Sequence, residues 1–221
     1  MEGPEPLLIY KKLRAHFGYL NWWPAESDFE VFVGAMLTQQ TSWRNVELAL
    51  ANLKGAGVLS IESIARMPLP KLQRLIRPSG FYRQKAIRLK SICAGILKEH
   101  SSFKGMMSLG KDELRERLLS YIGIGYETAD SIILYAAHKP SFVIDAYTKR
   151  AMHRIHPKIS EQVDYEELKS YFESRLRKDT RLYKDFHAQF VELGKNYCQK
   201  TDPDCAHCPI REMCSHGQHK P

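Results

Sequence analysis

Apolar residues recur every three or four positions along most of the chain. "EVFVGAMLTQQTSWRNVELALANL", residues 30–53, shows this spacing, which is one face of a helix and never the alternation of a strand. "SIESIARMPLPKLQRLIRPSGF", residues 60–81, predicts two short helices broken at Pro68 and Pro70 and stopped near Gly80. "RQKAIRLKSICAGILKEH" predicts a further helix with a basic outer face. "KDELRERLLSYIGIG" and "ETADSIILYAAHK" predict two helices around a glycine-containing bend. "DAYTKRAMHRIHP" opens on Asp145, a residue type favoured as a helix cap. "DYEELKSYFESRLR" and "LYKDFHAQFVELGKNY" complete the helical set. No strand, tandem repeat or low-complexity linker emerges, so the expected fold class is all-α.

The 221 residues suffice for one large domain or two small ones with a real core. No apolar run approaches the roughly 20 residues that cross a bilayer, and no membrane partner is expected. The N-terminus "MEGPEPLLIYKK" lacks the basic-then-apolar order of a signal peptide. A cytoplasmic location follows as an expectation. The net charge of +8 favours a polyanionic partner through phosphate neutralisation, although a merely basic protein would show the same balance.

Four of the five cysteines crowd into "YCQKTDPDCAHCPIREMCS". Cys198, Cys205, Cys208 and Cys214 form a C-x6-C-x2-C-x5-C array able to ligate one metal centre. Only one pair is closely spaced. That suits a [4Fe–4S] cube better than two zinc knuckles, while zinc remains the alternative and disulfides a lesser one. A single cluster in a terminal loop can be purely structural. Cys93 stands in an apolar helical context and reads as an inert core thiol. Lys200, within the cysteine loop, is a further candidate for a phosphate contact, weakened by Asp202 and Asp204 beside it.

The bend "GIG", Gly123, Ile124 and Gly125, joins two helices as a helix–hairpin–helix. Glycines there free the backbone, and the amides at the start of the second helix, through Thr128, form an anion site suited to a DNA phosphate. An ordinary tight turn is the competing explanation. Twenty residues beyond Gly125, a short apolar run delivers Asp145. A capping role and a carboxylate aimed into a cleft do not exclude each other.

Hairpin, aspartate and cysteine tail, in that order, resemble the helix–hairpin–helix DNA glycosylase superfamily, in its endonuclease III-like branch. The resemblance runs from about Phe29 to Cys214. It implies two helical domains with a DNA-binding groove between them. One is a barrel over residues 23–137; the other joins 1–22 to 138–221 and carries the iron–sulfur cluster. It implies that Asp145 is the catalytic carboxylate. It also implies that Gln39, in "LTQQTS", fills the gap left by a flipped nucleotide. Tyr121 and Ile122 depart from the family's usual Leu-Pro in the hairpin.

Strand-cutting members of that superfamily carry a lysine where Glu127 stands. An amine attacks the sugar C1′ to form a Schiff base; a carboxylate cannot. No lysine occurs from Asp112 through His138. The expected enzyme is therefore monofunctional: water is the nucleophile, and Asp145 steadies charge on the sugar as in glycoside hydrolysis. As a first-turn acid, Glu127 also suits the helix dipole.

The target base must be flipped into a pocket. Trp22, Trp23, Pro24 and Trp43 offer a stacking cage, with packing at a domain seam as the alternative. A tryptophan face attracts a cationic alkylated base by roughly 0.5–2 kcal/mol, and Glu127 adds negative charge if it lines the pocket. "WWP" and "GIGYETADSIILYA…VIDAYTKR" look particularly like the 3-methyladenine DNA glycosylases, which implies removal of N3- or N7-alkylated purines. Lys149 and Arg150 are candidate phosphate contacts. The expected partner is double-stranded DNA with a damaged base, met by a monomer. Competing readings are a glycosylase/lyase for oxidised pyrimidines, a thymine or adenine mismatch glycosylase, and a non-catalytic iron–sulfur protein that only binds damage.

Overall fold

The computed structural model describes residues 4–219 and contains, among them, helices and connecting turns but no strand. In chain order the helices are α1 (Pro6–Phe17), α2 (Asp28–Leu37), α3 (Trp43–Gly55), α4 (Ile61–Arg66), α5 (Leu69–Leu75), α6 (Tyr82–His100) and α7 (Phe103–Met107). They continue with α8 (Lys111–Ser120), α9 (Tyr126–Ser131), α10 (Ala146–Ile155), α11 (Tyr165–Glu173), α12 (Thr180–Asn196) and α13 (Ser215–His219). The chain forms two compact units. One is continuous, Pro24–Lys139; the other joins the residues up to Trp23 with those from Pro140 onward.

The continuous unit is built around α2. Phe29 to Leu37 are all buried, apolar but for Glu30, as befits a central helix. Ser27 caps it, accepting the Glu30 amide at 3.1 Å. Buried Glu30 is paired with Lys54 of α3 at 2.8 Å. The apolar spacing continues unbroken from α2 into α3, yet the structure divides the two at Thr38–Ser42. There Gln40 takes φ 53° and Ser42 turns extended. Lys85 of α6 secures this break from below, its Nζ donating to the Leu37 carbonyl at 2.8 Å and the Ser79 carbonyl at 2.6 Å. Burial lowers the Lys85 pKa to about 8. Pro68, the N-cap of α5, separates it from α4, whereas Pro70, expected to break the helix, sits in the first turn of α5, where its missing amide costs nothing.

One departure from simple helical period stands out. Beyond α9 the chain widens into a π-helical segment, Ile132–Ala136, all of it buried. The Ala137 amide reaches five residues back, to the Ile132 carbonyl at 3.0 Å. Side-chain pattern does not distinguish 3.6 from the wider period over five residues.

The second unit has an aromatic core. Phe142 stacks on Phe172 at 4.2 Å and Phe186 on Phe190 at 4.8 Å, with Tyr183 edge-on to Phe142. Ring pairs of this kind add about 0.5–1.5 kcal/mol each beyond the area they bury. Asp185 of α12, fully buried, ties α1 to this core. It accepts Tyr10 Oη at 2.7 Å, Arg14 Nη1 at 2.9 Å and the Leu20 amide at 2.9 Å. Gly194 lets α12 approach α10: a Cβ there would stand 2.2 Å from the Tyr147 ring.

His156, which ends α10, is fully buried, and neither ring nitrogen has a hydrogen-bond partner among the described residues. Burial, with Lys158 and Arg175 nearby, lowers its pKa from 6.5. The folded protein thus resists the proton that the unfolded chain accepts, so stability is lost as pH falls below about 6.5. Urea midpoints are expected to drop between about pH 7 and 5 in the parent, and the His156→Phe variant to flatten that slope.

Candidate active site

The bend between α8 and α9 is held by a buried ion pair. Arg115 donates Nε to Asp130 Oδ1 at 2.9 Å and Nη2 to Oδ2 at 3.1 Å, and its guanidinium lies 5.2 Å over the Tyr126 ring. Asp130 is fully buried. The bend itself needs one glycine for its conformation. Gly123 has φ 97°, and a Cβ there would lie 2.4 Å from Arg88 Cδ. Gly125 has φ −98° and open space at its Cβ, so its contribution is bareness rather than a special angle. Ile124, expected at the DNA, buries its side chain and donates its amide within the turn to the Tyr121 carbonyl at 3.1 Å. Ile122 is 84% exposed at the tip. Tyr121, where the family usually has leucine, packs against Gly95 of α6 and reaches Glu99 at 3.3 Å.

Gln39 sits half-buried beside this bend. Its Nε2 donates to the Gly123 carbonyl at 2.9 Å and to Thr128 Oγ1 at 3.1 Å. Thr128, another residue expected to meet DNA, is buried and takes that bond. Glu127 stands exposed in the first turn of α9. Trp43 begins α3 half-buried, and Pro24 is exposed.

In the other unit, Asp145 caps α10, with Oδ1 accepting the Thr148 amide at 2.7 Å. Its Oδ2 lies 3.4 Å from Nε2 of His187 on α12. Both side chains are buried. Burial by itself would raise the Asp145 pKa, but the His187 and Thr148 contacts outweigh it and hold the carboxyl below its usual 3.8. The outcome is an ionised carboxylate in a largely dry setting, able to steady a developing cation. Trp22 and Trp23 lie in the same unit, their rings 6.0 Å apart at 60°, with Lys195 Nζ 5.1 Å from the Trp22 ring.

Two cations expected at phosphates make bonds within the protein. Lys149 donates Nζ to the Val163 carbonyl at 2.9 Å. Arg150 donates Nε to the Cys198 carbonyl at 2.8 Å and Nη2 to Gly194 at 3.3 Å. One turn further along α10, Arg154 donates Nη1 to Cys198 Sγ at 3.2 Å and to the Gln199 carbonyl at 2.7 Å. Its Nη2 reaches the Lys200 carbonyl at 3.1 Å. The Lys200 side chain is exposed. His187 and the Arg150–Arg154 brace escaped the sequence reading. The i,i+4 spacing of the arginines was visible, but nothing local connects either to the cysteine loop.

Cys198, Cys205, Cys208 and Cys214 line one cavity, together with Arg154 and Ile210. Among the described residues no group of three or more His, Cys, Asp or Glu is arranged to hold a single metal ion. Burial pushes the Cys208 thiol up to about 11 and raises that of Cys214. The Gly217 amide donates to Cys214 Sγ at 3.4 Å. Cys93 is a fully buried thiol whose pKa burial raises strongly.

One unit thus carries a glycine hairpin whose bare amides suit a phosphate, and the other a buried, ionised capping carboxylate able to steady a developing positive charge. Residues 33–178 match the family described as HhH-GPD superfamily base excision DNA repair protein. The chain belongs to that superfamily, as a DNA glycosylase of base excision repair. It is 48% identical over 208 residues to a protein of Methanocaldococcus jannaschii provisionally named a DNA repair glycosylase, covering 93% of this chain and 94% of the relative. Endonuclease III of Thermotoga maritima is 28% identical over 190 residues, 86% of this chain and 84% of that one. Among solved structures, H. pylori 3-methyladenine DNA glycosylase bound to 1,N6-ethenoadenine superposes with a TM-score of 0.78. It is 33% identical and covers 87% of this chain and 98% of its own. An endonuclease III–DNA complex superposes at 0.81 over 96% and 94% with 19% identity, a likeness of fold alone.

Proposed function

We propose that this glycosylase is monofunctional and hydrolyses the glycosidic bond of N3- or N7-alkylated purines in double-stranded DNA. The observation that carries the reading is a buried, ionised Asp145 in a chain that has a carboxylate, Glu127, at the position where strand-cutting members of the superfamily have an amine. Alkylation at a ring nitrogen makes the base cationic and already a good leaving group. The enzyme then needs no strong acid; it needs negative charge beside the sugar as the bond stretches. Asp145 supplies that charge, and water attacks C1′. His187 and the Thr148 amide keep the carboxylate ionised and aimed. The hairpin amides of Gly123 and Gly125 receive a phosphate, while Gln39 exchanges its two present bonds for the gap left by the flipped base. The tryptophans stack on that base. The likeness to the 3-methyladenine glycosylase supports the same substrate class.

The four cysteines fit a [4Fe–4S] cluster. They share one cavity, and only Cys205 and Cys208 are closely spaced along the chain, which suits a cube better than two zinc knuckles. Cys198, Cys205, Cys208 and Cys214 would hold it, with Arg154 bonded to the Cys198 sulfur. Its contribution would be to fasten a terminal loop that has little core of its own. Iron and sulfide analysis of the purified protein is expected to return about four of each per chain, with a broad visible absorption; zinc in their place would refute the assignment.

The activity test uses duplexes carrying 7-methylguanine, thymine glycol or a T·G mismatch, resolved on gels with and without alkali. Cleavage of the methylated duplex only after alkali is expected, with no adduct trapped by borohydride. Breaks without alkali, or efficient trapping, would establish a lyase. Preference for thymine glycol or T·G would overturn the substrate class.

A further inference from the structure

Lined by none of the residues given a part in the candidate active site, a groove of about 870 Å3 lies between α1 and the turn joining α11 to α12. Four arginines line it: Arg14, Arg175, Arg177 and Arg181. From Arg175 to Lys184 the chain carries five basic residues against Asp179 alone. Two of the arginines are held in place by the protein. Arg14 bonds to Asp185 and Tyr10, both at 2.9 Å, with its guanidinium 4.8 Å over the Tyr19 ring. Arg175 lies 4.4 Å over the Tyr171 ring and donates to the Tyr171 carbonyl at 3.3 Å. Of the other two, Arg177 is 80% exposed and pairs with Asp179 Oδ2 at 2.7 Å, a bond an incoming carboxylate would share or displace, and Arg181 is exposed.

Between these charges lie apolar side chains, Leu7, Leu176 and Leu182, with Tyr19 at one end. Leu7 remains 43% exposed and Tyr19 53%. Fixed guanidinium forks match carboxylates in paired hydrogen bonds, and a concave site with an apolar floor accepts a side chain. We propose that this groove docks an acidic peptide segment of a partner protein. Its carboxylates sit on the arginines and one large apolar residue between them on the leucines. Clusters of arginine recognise acidic motifs in this way, and the volume lies within the roughly 300–1,000 Å3 of ligand clefts. Duplex DNA is the weaker occupant. Its backbone is a convex row of phosphates that would span the groove and leave the leucines uncovered.

The test is fluorescence anisotropy on the full-length protein with a fluorescein-labelled peptide, Asp-Glu-Asp-Leu-Phe-Asp-Glu-Asp. Saturable binding is expected. The Arg177→Glu/Arg181→Glu variant should weaken it by about tenfold, with melting temperature and excision rate unchanged. Replacing Leu-Phe in the peptide by Ser-Ser should weaken binding by about tenfold as well. Absence of saturation, equal binding by the charge-reversed variant, or indifference to the Ser-Ser exchange would each overturn the proposal. Displacement of the labelled peptide by an undamaged duplex as readily as by unlabelled peptide would overturn it too, and would make the groove a general polyanion surface. Unlike the variant, that competition is read on the parent protein and needs no altered chain to fold.

Discussion

Asp145→Asn is expected to lower single-turnover excision of 7-methylguanine by about three orders of magnitude, the upper end for loss of one preorganised electrostatic group, while leaving duplex binding within about twofold. The separation follows from two jobs done by one side chain. As a cap, the carboxylate accepts the Thr148 amide at 2.7 Å. Asparagine caps helices about as well as aspartate, so α10 and the fold should survive. As an electrostatic partner, the carboxylate is held ionised by His187 and Thr148 against its burial. Asparagine carries no charge to set against a developing sugar cation. Rapid-quench kinetics measure the first effect, and anisotropy on a duplex with an uncleavable abasic analogue measures the second. A variant that excises at near-parental rates would refute the role of Asp145. A variant that loses binding and melts early would show that the cap alone mattered.

Arg115→Met is expected to produce the largest loss of stability, about 3–5 kcal/mol, as for breaking a buried ion pair. Asp130 is fully buried, and Arg115 engages both of its oxygens. Methionine keeps much of the stem's packing but removes both bonds and the contact with the Tyr126 ring. In a protein of this size that loss is expected to lower the melting temperature by about 10 °C. Because the pair bridges α8 and α9, hydrogen exchange should rise first at Tyr121–Gly125. The double variant Arg115→Met/Asp130→Leu should recover much of the loss, since removing both charges eliminates the unpaired one. A melting temperature unchanged by the single substitution would show that Asp130 has sufficient other support.

These two sites differ in how much of them the sequence revealed. Asp145 was legible because capping is local: its residue type, the apolar run before it and the helical period after it all lie within a few positions. Its neighbour His187 was not, since it lies 42 residues further along the chain. The hairpin was legible from Gly123 and Gly125. Yet the structure gives the positive φ to Gly123 alone, because only that residue turns the chain back. Lys149 and Arg150 share the uncertainty of all surface cations. Written as charges on a helix, they suit phosphate or solvent equally. The folded chain turns one to the Val163 carbonyl and the other to the cysteine loop. The cysteine spacing suggested a shared centre; the four side chains line one cavity, while no group among the described residues is arranged around a single metal ion.

By itself, then, the sequence determined the helical class, the helix break at Pro68, the bend with its bare glycine, the capping carboxylate and the intervals of the cysteines. Each depends on backbone geometry or on neighbours within about two helical turns. Tertiary structure alone decided that His187 stands beside Asp145, that Arg115 clasps Asp130, that residues 132–136 widen into a π turn, and that four arginines surround a leucine floor. Those outcomes depend on which helix faces meet. Many arrangements of packed helices satisfy the same periodicity, and the choice among them rests on shape and burial summed over the whole unit.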